Sequence, residues 1–250
     1  MTAPRWPGPR VTNHRGLSLP VTLGLVVAIA GAIGVVLALL VADVTGGGAA
    51  GAVASAVVFA AGFVDDLSSG GPRGIRGHLS ALVHMRVTTG VIKLVVITGC
   101  AIVVAAWFPR SGGSTIAGIV LMAGCANLWN GLDVAPGRAL KVFLPVALVL
   151  LATAPLTLVP TLPGVTAGGV AVLPADLRER AVLGDGGANL LGFTVGIGLF
   201  VTLSSGALWV AAAVTVGLNV LADTYTLSRA IESSPPLRWF DRLGRVPAGR

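Results

Sequence analysis

The stretch Gly47–Val64, GGAAGAVASAVVFAAGFV, contains eighteen consecutive residues without a charge, and two aspartates follow it directly. A helix of this length is nearly as long as the hydrocarbon core of a bilayer is thick. A helix also satisfies all of its own backbone polar groups in lipid. The stretch therefore predicts a membrane-spanning helix that ends at Asp65 and Asp66.

The composition of the whole chain agrees with this prediction. Of its 250 residues, 54% are hydrophobic and only 11% are charged, and the mean hydropathy is +0.89. A soluble domain is about 25% charged. The net charge of +7 is scattered between apolar segments instead of forming one basic patch, which argues against a nucleic-acid-binding protein. We expect an all-α, polytopic membrane helix bundle that binds membrane lipid and no nucleic acid.

Further apolar segments predict about eight transmembrane helices. We place them at residues 21–42, 47–64, 90–108, 115–129, 139–158, 161–174, 187–203 and 206–225. The fourth and the sixth are short for a hydrocarbon core about 30 Å thick. The chain then divides into an N-terminal segment at 1–20, a single transmembrane domain at 21–228 and a C-terminal tail at 229–250. The polar, proline-rich N-terminal segment predicts no cleavable signal peptide.

The charged residues indicate the orientation of this bundle. If eight spans alternate, the arginines between them fall on one side, and Arg110 alone lies opposite. The positive-inside rule then places both termini in the cytoplasm. The acidic residues lie on the same side, except for Asp43. A composition rich in Ala, Val, Gly and Arg is typical of a bacterial protein, so we expect a multi-pass protein of the bacterial plasma membrane whose active face is cytoplasmic.

Asp65 and Asp66 have two interpretations. They form either a solvated helix end or part of a metal and phosphate site. Carboxylates at the C-terminal end of a helix face the negative pole of its dipole. A divalent cation or a nearby lysine would relieve this cost.

The second polar stretch is ANLWNGLDVAPGRALK at 126–141. Asn127 and Asn130 share one helix face, and Asp133 follows. Amide and carboxylate oxygens suit Mg²⁺, which also takes oxygens from substrate phosphates. The alternative is a polar cap before a Pro-Gly turn, but polar groups at membrane depth are costly and are functional candidates by default.

The third stretch is VLGDGG at 182–187, which precedes the seventh span. Free N–H groups at the start of a helix predict an anion site, with Asp185 placed to hold a cation. The alternative is a glycine-rich turn with an aspartate cap. We also predict substrate contacts at Arg138 and Asn189. Arg15, in NHRGLSLP at 13–20, either grips a phosphate or serves as a topological anchor.

In this order the motifs resemble the polyprenyl-phosphate N-acetylhexosamine-1-phosphate transferase superfamily. The resemblance covers most of the chain, from residue 13 to about residue 244. It implies an enzyme that uses Mg²⁺ to join a phospho-amino sugar from a UDP-sugar to a polyprenyl phosphate, with release of UMP. Such reactions initiate cell-envelope glycans.

The resemblance also implies roles for individual residues. Asp65 and Asp66 match the aspartates that position or deprotonate the lipid phosphate, and Lys93 matches a lysine at the diphosphate. The metal ligands would be Asp185 and Asn130. The remaining matches are Asn127 in the Asn-x-x-Asn motif, Asp133 in a longer aspartate motif, and Asn13 and Arg15 before a membrane helix.

Three departures from the family pattern concern recognition of the base and the sugar. Pro136 replaces a second aspartate or asparagine, Val182 replaces a frequent aromatic residue, and SSPPLR at 233–238 contains no histidine. They favour an alternative, a non-catalytic relative that binds the lipid carrier in an envelope-biosynthesis assembly. A transporter or channel is a third class, and a homodimer is compatible with all three.

Overall fold

The computed structural model describes residues 10–12, 16, 18–67, 89–224 and 227–245. These residues form ten helices and one antiparallel pair of short strands, β1 (Arg10–Thr12) and β2 (Ser18–Pro20). The helices are α1 (Leu23–Val41), α2 (Gly46–Leu67), α3 (Thr89–Ala106), α4 (Gly112–Leu132), α5 (Arg138–Thr153), α6 (Leu162–Leu177), α7 (Gly184–Thr202), α8 (Ser205–Thr224), α9 (Leu227–Ser233) and α10 (Pro235–Arg242). The predicted helical architecture is confirmed.

Within the described ranges, six helices are long and apolar enough to cross a membrane, namely α1, α2, α3, α4, α7 and α8. This is the property of a multi-pass membrane protein. Helices α5 and α6 have sixteen residues each, which corresponds to about 24 Å at 1.5 Å per residue. Six of the eight predicted spans therefore have the required length, and a total of eight stays a prediction.

The prediction that the fourth span is short is wrong, because α4 contains twenty-one residues. Its start is fixed at Ser111, whose hydroxyl accepts a hydrogen bond from the Ser114 backbone N–H at 3.4 Å. Its end extends through Asn127 and Asn130 to Leu132. The hydropathy of the sequence falls where these polar residues begin, although the helix itself continues.

Helix α7 lies at the centre of the bundle. Most of its residues are buried, whereas most residues of α8 are not. It packs against α1, α2, α4, α5 and α6. Its first turn approaches two neighbouring backbones closely, because a Cβ on Gly62 of α2 would come within 2.7 Å of Gly186, and one on Gly24 of α1 within 2.8 Å of Gly187.

The chain before α1 is joined to the chain before α7. Val21 pairs with Val182 in an isolated parallel bridge. The Val182 N–H donates to the Pro20 carbonyl, and the Leu23 N–H donates to the Val182 carbonyl, both at 3.1 Å. These bonds fix the starts of α1 and α7 side by side.

The opposite end of the bundle contains Arg110. Its guanidinium lies 5.0 Å from the centre of the Phe200 ring and donates to the Leu203 carbonyl at 3.1 Å. At the same end, the Thr45 N–H before α2 donates to the Thr157 carbonyl after α5. Arg110 thus lies away from the end at which α7 begins, as alternating helices require.

Candidate functional site

Six of the predicted site residues meet at the end of the bundle where α7 begins. The last turn of α2, the start of α3, the end of α4 and the first turn of α7 supply them. We call this group the polar cluster, and its members are Asp65, Asp66, Lys93, Asn130, Asp133 and Asp185.

The ammonium group of Lys93 joins two carboxylates of the cluster. Lys93 Nζ donates a hydrogen bond to Asp65 Oδ2 at 2.8 Å and another, shorter one to Asp185 Oδ2. The side chain of Lys93 is 11% exposed, and those of Asp65 and Asp185 are 17% and 34% exposed. Because water screens these charges only in part, the lysine offsets a strong repulsion between the two carboxylates.

The amide of Asn130 completes this network. Its Nδ2 donates to Asp185 Oδ1 at 2.9 Å, and its Oδ1 accepts from Lys93 Nζ at 3.3 Å, in the orientation that satisfies both neighbours. The orientation is assigned from the hydrogen-bond network. Asn130 therefore contacts both the lysine and the aspartate that were predicted to act beside it.

Asp66 binds the backbone at the start of α7. Its Oδ1 accepts from the Asp185 N–H at 2.8 Å, and its Oδ2 accepts from the Gly186 N–H at 3.0 Å. A negative charge at a helix N-terminus is favourable. The prediction of a free anion site is therefore wrong for these two N–H groups, because the carboxylate of Asp66 occupies them.

Asp133 lies in a strongly negative environment. Burial, followed by the charges of Asp176, Asp185 and Asp66, raises the pKa of Asp133 well above its ordinary value. Asp133 therefore keeps its proton to a higher pH than a free aspartate does. The same surroundings favour the approach of a cation.

Gly184 is required by the contact between Asp66 and α7. Its φ is +71°, and an added Cβ would come within 2.6 Å of Asp66 Oδ2 and 2.9 Å of Oδ1. We expect Gly184→Ala to lower the free energy of unfolding by about 2 kcal/mol, because alanine is strained at positive φ and displaces the carboxylate.

The measurement is the denaturation midpoint of the purified protein in detergent. Gly99→Ala is the matched control, since nothing lies within 4 Å of its added Cβ and alanine favours a helix. Equal midpoints for the two variants would contradict the requirement for glycine at position 184.

Three other predicted contact residues lie outside the polar cluster. Asn127 Nδ2 donates to Asn219 Oδ1 on α8 at 2.6 Å. Arg138 is buried and bonded to Asp241 and Ser228. Asn189 is buried one turn beyond Asp185, and neither atom of its amide has a hydrogen-bond partner among the described residues. Two further predicted residues, Asn13 and Arg15, lie outside the described residues.

A second charged group, not predicted from the sequence, attaches the C-terminal segment to the bundle. Arg138 donates to both oxygens of Asp241, at 2.7 and 3.1 Å. Arg245 donates to Asp241 Oδ1 at 2.6 Å and to the Pro136 carbonyl at 2.9 Å. The spacing of Asp241 and Arg245, four residues apart, was the available signal. The pairing with Arg138 spans more than a hundred residues and leaves no pattern in the sequence.

The pair between Asp241 and Arg138 predicts a defined pH dependence. Burial raises the pKa of Asp241, but the hydrogen bonds and charge of Arg138 and the charge of Arg245 outweigh it and hold the pKa below its ordinary value. The folded state then binds this proton more weakly than the unfolded state. The stabilisation is complete above the unfolded pKa of about 3.9 and is lost as the pH falls through the lower folded pKa.

We therefore expect Asp241→Asn to lower the denaturation midpoint at pH 7 and to differ less from the unsubstituted protein at pH 3. Measuring both proteins at both pH values isolates this carboxylate from the others. A difference of the same size at pH 3 and pH 7 would contradict the ion pair.

An apolar groove of about 600 Å³ runs between α2 and α3. It extends from Gly46 and Trp107 at the far end to Val57 and Val96. Val96 is three residues beyond Lys93, which is about 4.5 Å along the helix axis. The groove thus leads from the far end of the bundle towards the polar cluster.

Oxygen donors in the polar cluster suit Mg²⁺. The side chains of Asp185 and Asn130 lie next to each other. In proteins, Mg²⁺ usually binds only one or two carboxylates and completes its coordination shell with water and substrate phosphates. Among the described residues, no three His, Cys, Asp or Glu side chains form a group that could hold a metal ion. The oxygens of Asp185 and Asn130 are of the kind that Mg²⁺ prefers, and in this structure they contact Lys93.

Comparisons with protein-family models, with curated proteins and with solved structures each gave no match to this chain.

Proposed function

We propose that the protein is a Mg²⁺-dependent phosphoglycosyl transferase related to the polyprenyl-phosphate N-acetylhexosamine-1-phosphate transferases. It would transfer a phospho-N-acetylhexosamine from a UDP-sugar to a polyprenyl phosphate and so initiate a cell-envelope glycan. The observation that carries this proposal is the meeting of Asp65, Lys93, Asn130 and Asp185 from four helices at one end of the bundle. Their order in the sequence is the one on which the resemblance rests.

The proposed orientation places the polar cluster at the cytoplasmic face of the bacterial plasma membrane, with eight spans and both termini inside. Charge supports this orientation. Arg138 and Lys141 lie at the start of α5, on the side of the cluster, and Arg110 lies at the opposite end. An excess of basic residues marks the cytoplasmic side of a membrane protein.

The groove between α2 and α3 supports a lipid acceptor. Small and branched apolar side chains line most of it, among them Ala50, Val53 and Val103, together with Cys100 and Trp107. A hydrocarbon chain in this groove would place its phosphate beside Lys93. A nucleotide sugar alone would not need such a groove.

The residues of the polar cluster would divide the reaction between them. Asp65 would take the proton from the lipid phosphate, and Lys93 would attract the diphosphate of the sugar nucleotide. An oxygen of the lipid phosphate then attacks the β-phosphorus of the nucleotide. A new phosphorus–oxygen bond forms, and the bond to the oxygen of UMP breaks, so that UMP leaves with the electron pair. Mg²⁺ bound by Asp185 and Asn130 would neutralise the negative charge that develops on the leaving UMP.

The direct test is an assay of UMP release. Purified protein is incubated with Mg²⁺, a polyprenyl phosphate and a panel of UDP-linked amino sugars. We expect UMP and a lipid-linked sugar phosphate with at least one donor, and neither product when Mg²⁺ is chelated. Tight binding of polyprenyl phosphate without UMP from any donor would reject the enzyme.

That outcome would favour a second candidate, a non-catalytic protein that binds the lipid carrier. Two contacts support this candidate. Arg138, a predicted substrate contact, is bonded to Asp241, and the Pro136 carbonyl, in the motif expected to recognise the nucleotide, is bonded to Arg245. The groove and Lys93 would still hold a lipid phosphate, whereas the nucleotide would find fewer free partners.

A further inference from the structure

Helix α10 presents an apolar and basic surface away from the bundle. Trp239 is 66% exposed and Leu243 is 49% exposed. Arg238 and Arg242, one turn apart, are exposed beside them. A surface that combines a large aromatic side chain with arginines is unusual for a helix that faces water alone.

The opposite side of α10 is fixed to the bundle. Asp241 on that side is buried in the pair with Arg138. The exposed side chains of α10 are therefore held in one direction by a buried contact. A freely moving tail would not orient them.

Helix α10 lies at the edge of the exposed apolar surface of the bundle. Lys141 Nζ donates to the carbonyls of Phe240 and Leu243 at 3.0 and 3.2 Å. Lys141 lies seven residues before Leu148 on α5, so the two share one helix face, and Leu148 is 63% exposed. The end of α10 thus lies where the apolar outer face of α5 reaches the end of the bundle.

We infer that α10 lies in the headgroup layer of the membrane and binds anionic phospholipid. Arg238 and Arg242 contact the lipid phosphates, and Trp239 and Leu243 enter the boundary between headgroups and acyl chains. A shallow depression of about 520 Å³ between these four side chains, Pro235 and Gly244 provides room for a headgroup. The inference depends on the membrane helices and not on the proposed catalysis.

The experiment uses the full chain in lipid nanodiscs. Two sets of phosphatidylcholine discs are prepared with the same fraction of brominated lipid. The brominated lipid is phosphatidylcholine in one set and phosphatidylglycerol in the other. Bromine quenches the fluorescence of nearby tryptophans. The chain has five tryptophans, so the contribution of Trp239 is the difference between the unsubstituted protein and Trp239→Phe. We expect brominated phosphatidylglycerol to quench Trp239 at least about twofold more than brominated phosphatidylcholine.

Substitution of the arginines separates charge from burial. In the double variant Arg238→Ala and Arg242→Ala, both brominated lipids should quench Trp239 equally. The double variant with lysine at both positions should keep most of the preference for phosphatidylglycerol. Arg229→Ala is the matched control, an exposed arginine on α9, and should leave the preference unchanged. The denaturation midpoint of each variant is measured as well, and it should equal that of the unsubstituted protein.

Equal quenching of Trp239 by the two lipids in the unsubstituted protein would overturn the anionic preference. Absence of Trp239 quenching by either lipid would overturn the membrane placement, because the membrane helices keep the protein in the disc in every case.

Discussion

Asp185→Asn is expected to lower Mg²⁺-dependent UMP release by at least about 100-fold without unfolding the protein. The carboxylate of Asp185 contacts both Lys93 and Asn130, and it is the predicted metal ligand. Loss of residues that merely orient a metal ligand costs roughly 10- to 100-fold, so loss of the charged ligand itself should cost no less. Asparagine keeps the shape of the side chain and removes its charge.

Asp43→Asn is the matched control, because Asp43 is exposed at the opposite end of the bundle. It should release UMP at the rate of the unsubstituted protein. Initial rates over a range of Mg²⁺ concentrations, with polyprenyl phosphate and the active donor, provide the measurement. Unchanged Mg²⁺-dependent release by Asp185→Asn would remove Asp185 from the reaction.

Lys93→Met is expected to reduce stability as well as activity. Without the ammonium group, Asp65 and Asp185 face each other with no cation between them. Removal of one partner from a buried ion pair costs about 3–5 kcal/mol. We expect about 3 kcal/mol here because Asp185 is partly exposed, which corresponds to a fall of roughly 6–12 °C in the denaturation midpoint.

A double-mutant cycle tests this explanation. Adding Asp65→Asn to Lys93→Met should restore part of the lost stability, because one of the two repelling charges is gone. Mg²⁺ should also raise the midpoint of Lys93→Met more than that of the unsubstituted protein, since the two carboxylates are then free to take a cation. Equal midpoints for Lys93→Met and the unsubstituted protein, or no response of the variant to Mg²⁺, would contradict the bridging role of Lys93.

The sequence predicts the helices well, because an uncharged run such as Gly47–Val64 has few alternatives to a helix in lipid. It also predicts which side chains meet. In a chain with 11% charged residues, the few polar side chains at one end of the spans have few partners other than one another. Asp65, Lys93 and Asp185 fulfil this expectation.

The sequence does not predict how those side chains are used. Asp66 was expected beside a lipid phosphate, and the structure places its carboxylate on the N–H groups of Asp185 and Gly186. Arg138 was expected at a substrate and bonds Asp241. Both contacts depend on distances between helices that are far apart in sequence. Residue type and spacing describe what a side chain can bind but not which of several suitable partners lies nearest.

The close approach of α7 to Gly24 and Gly62 affects how mutational data on this protein should be read. At these positions a single methyl group would collide with the backbone that carries Asp185. A saturation-mutagenesis map scored by activity would therefore mark both glycines as strongly as the carboxylates, although neither has a side chain that could react. Only a parallel score for protein abundance would separate the positions that shape the site from those that act in it.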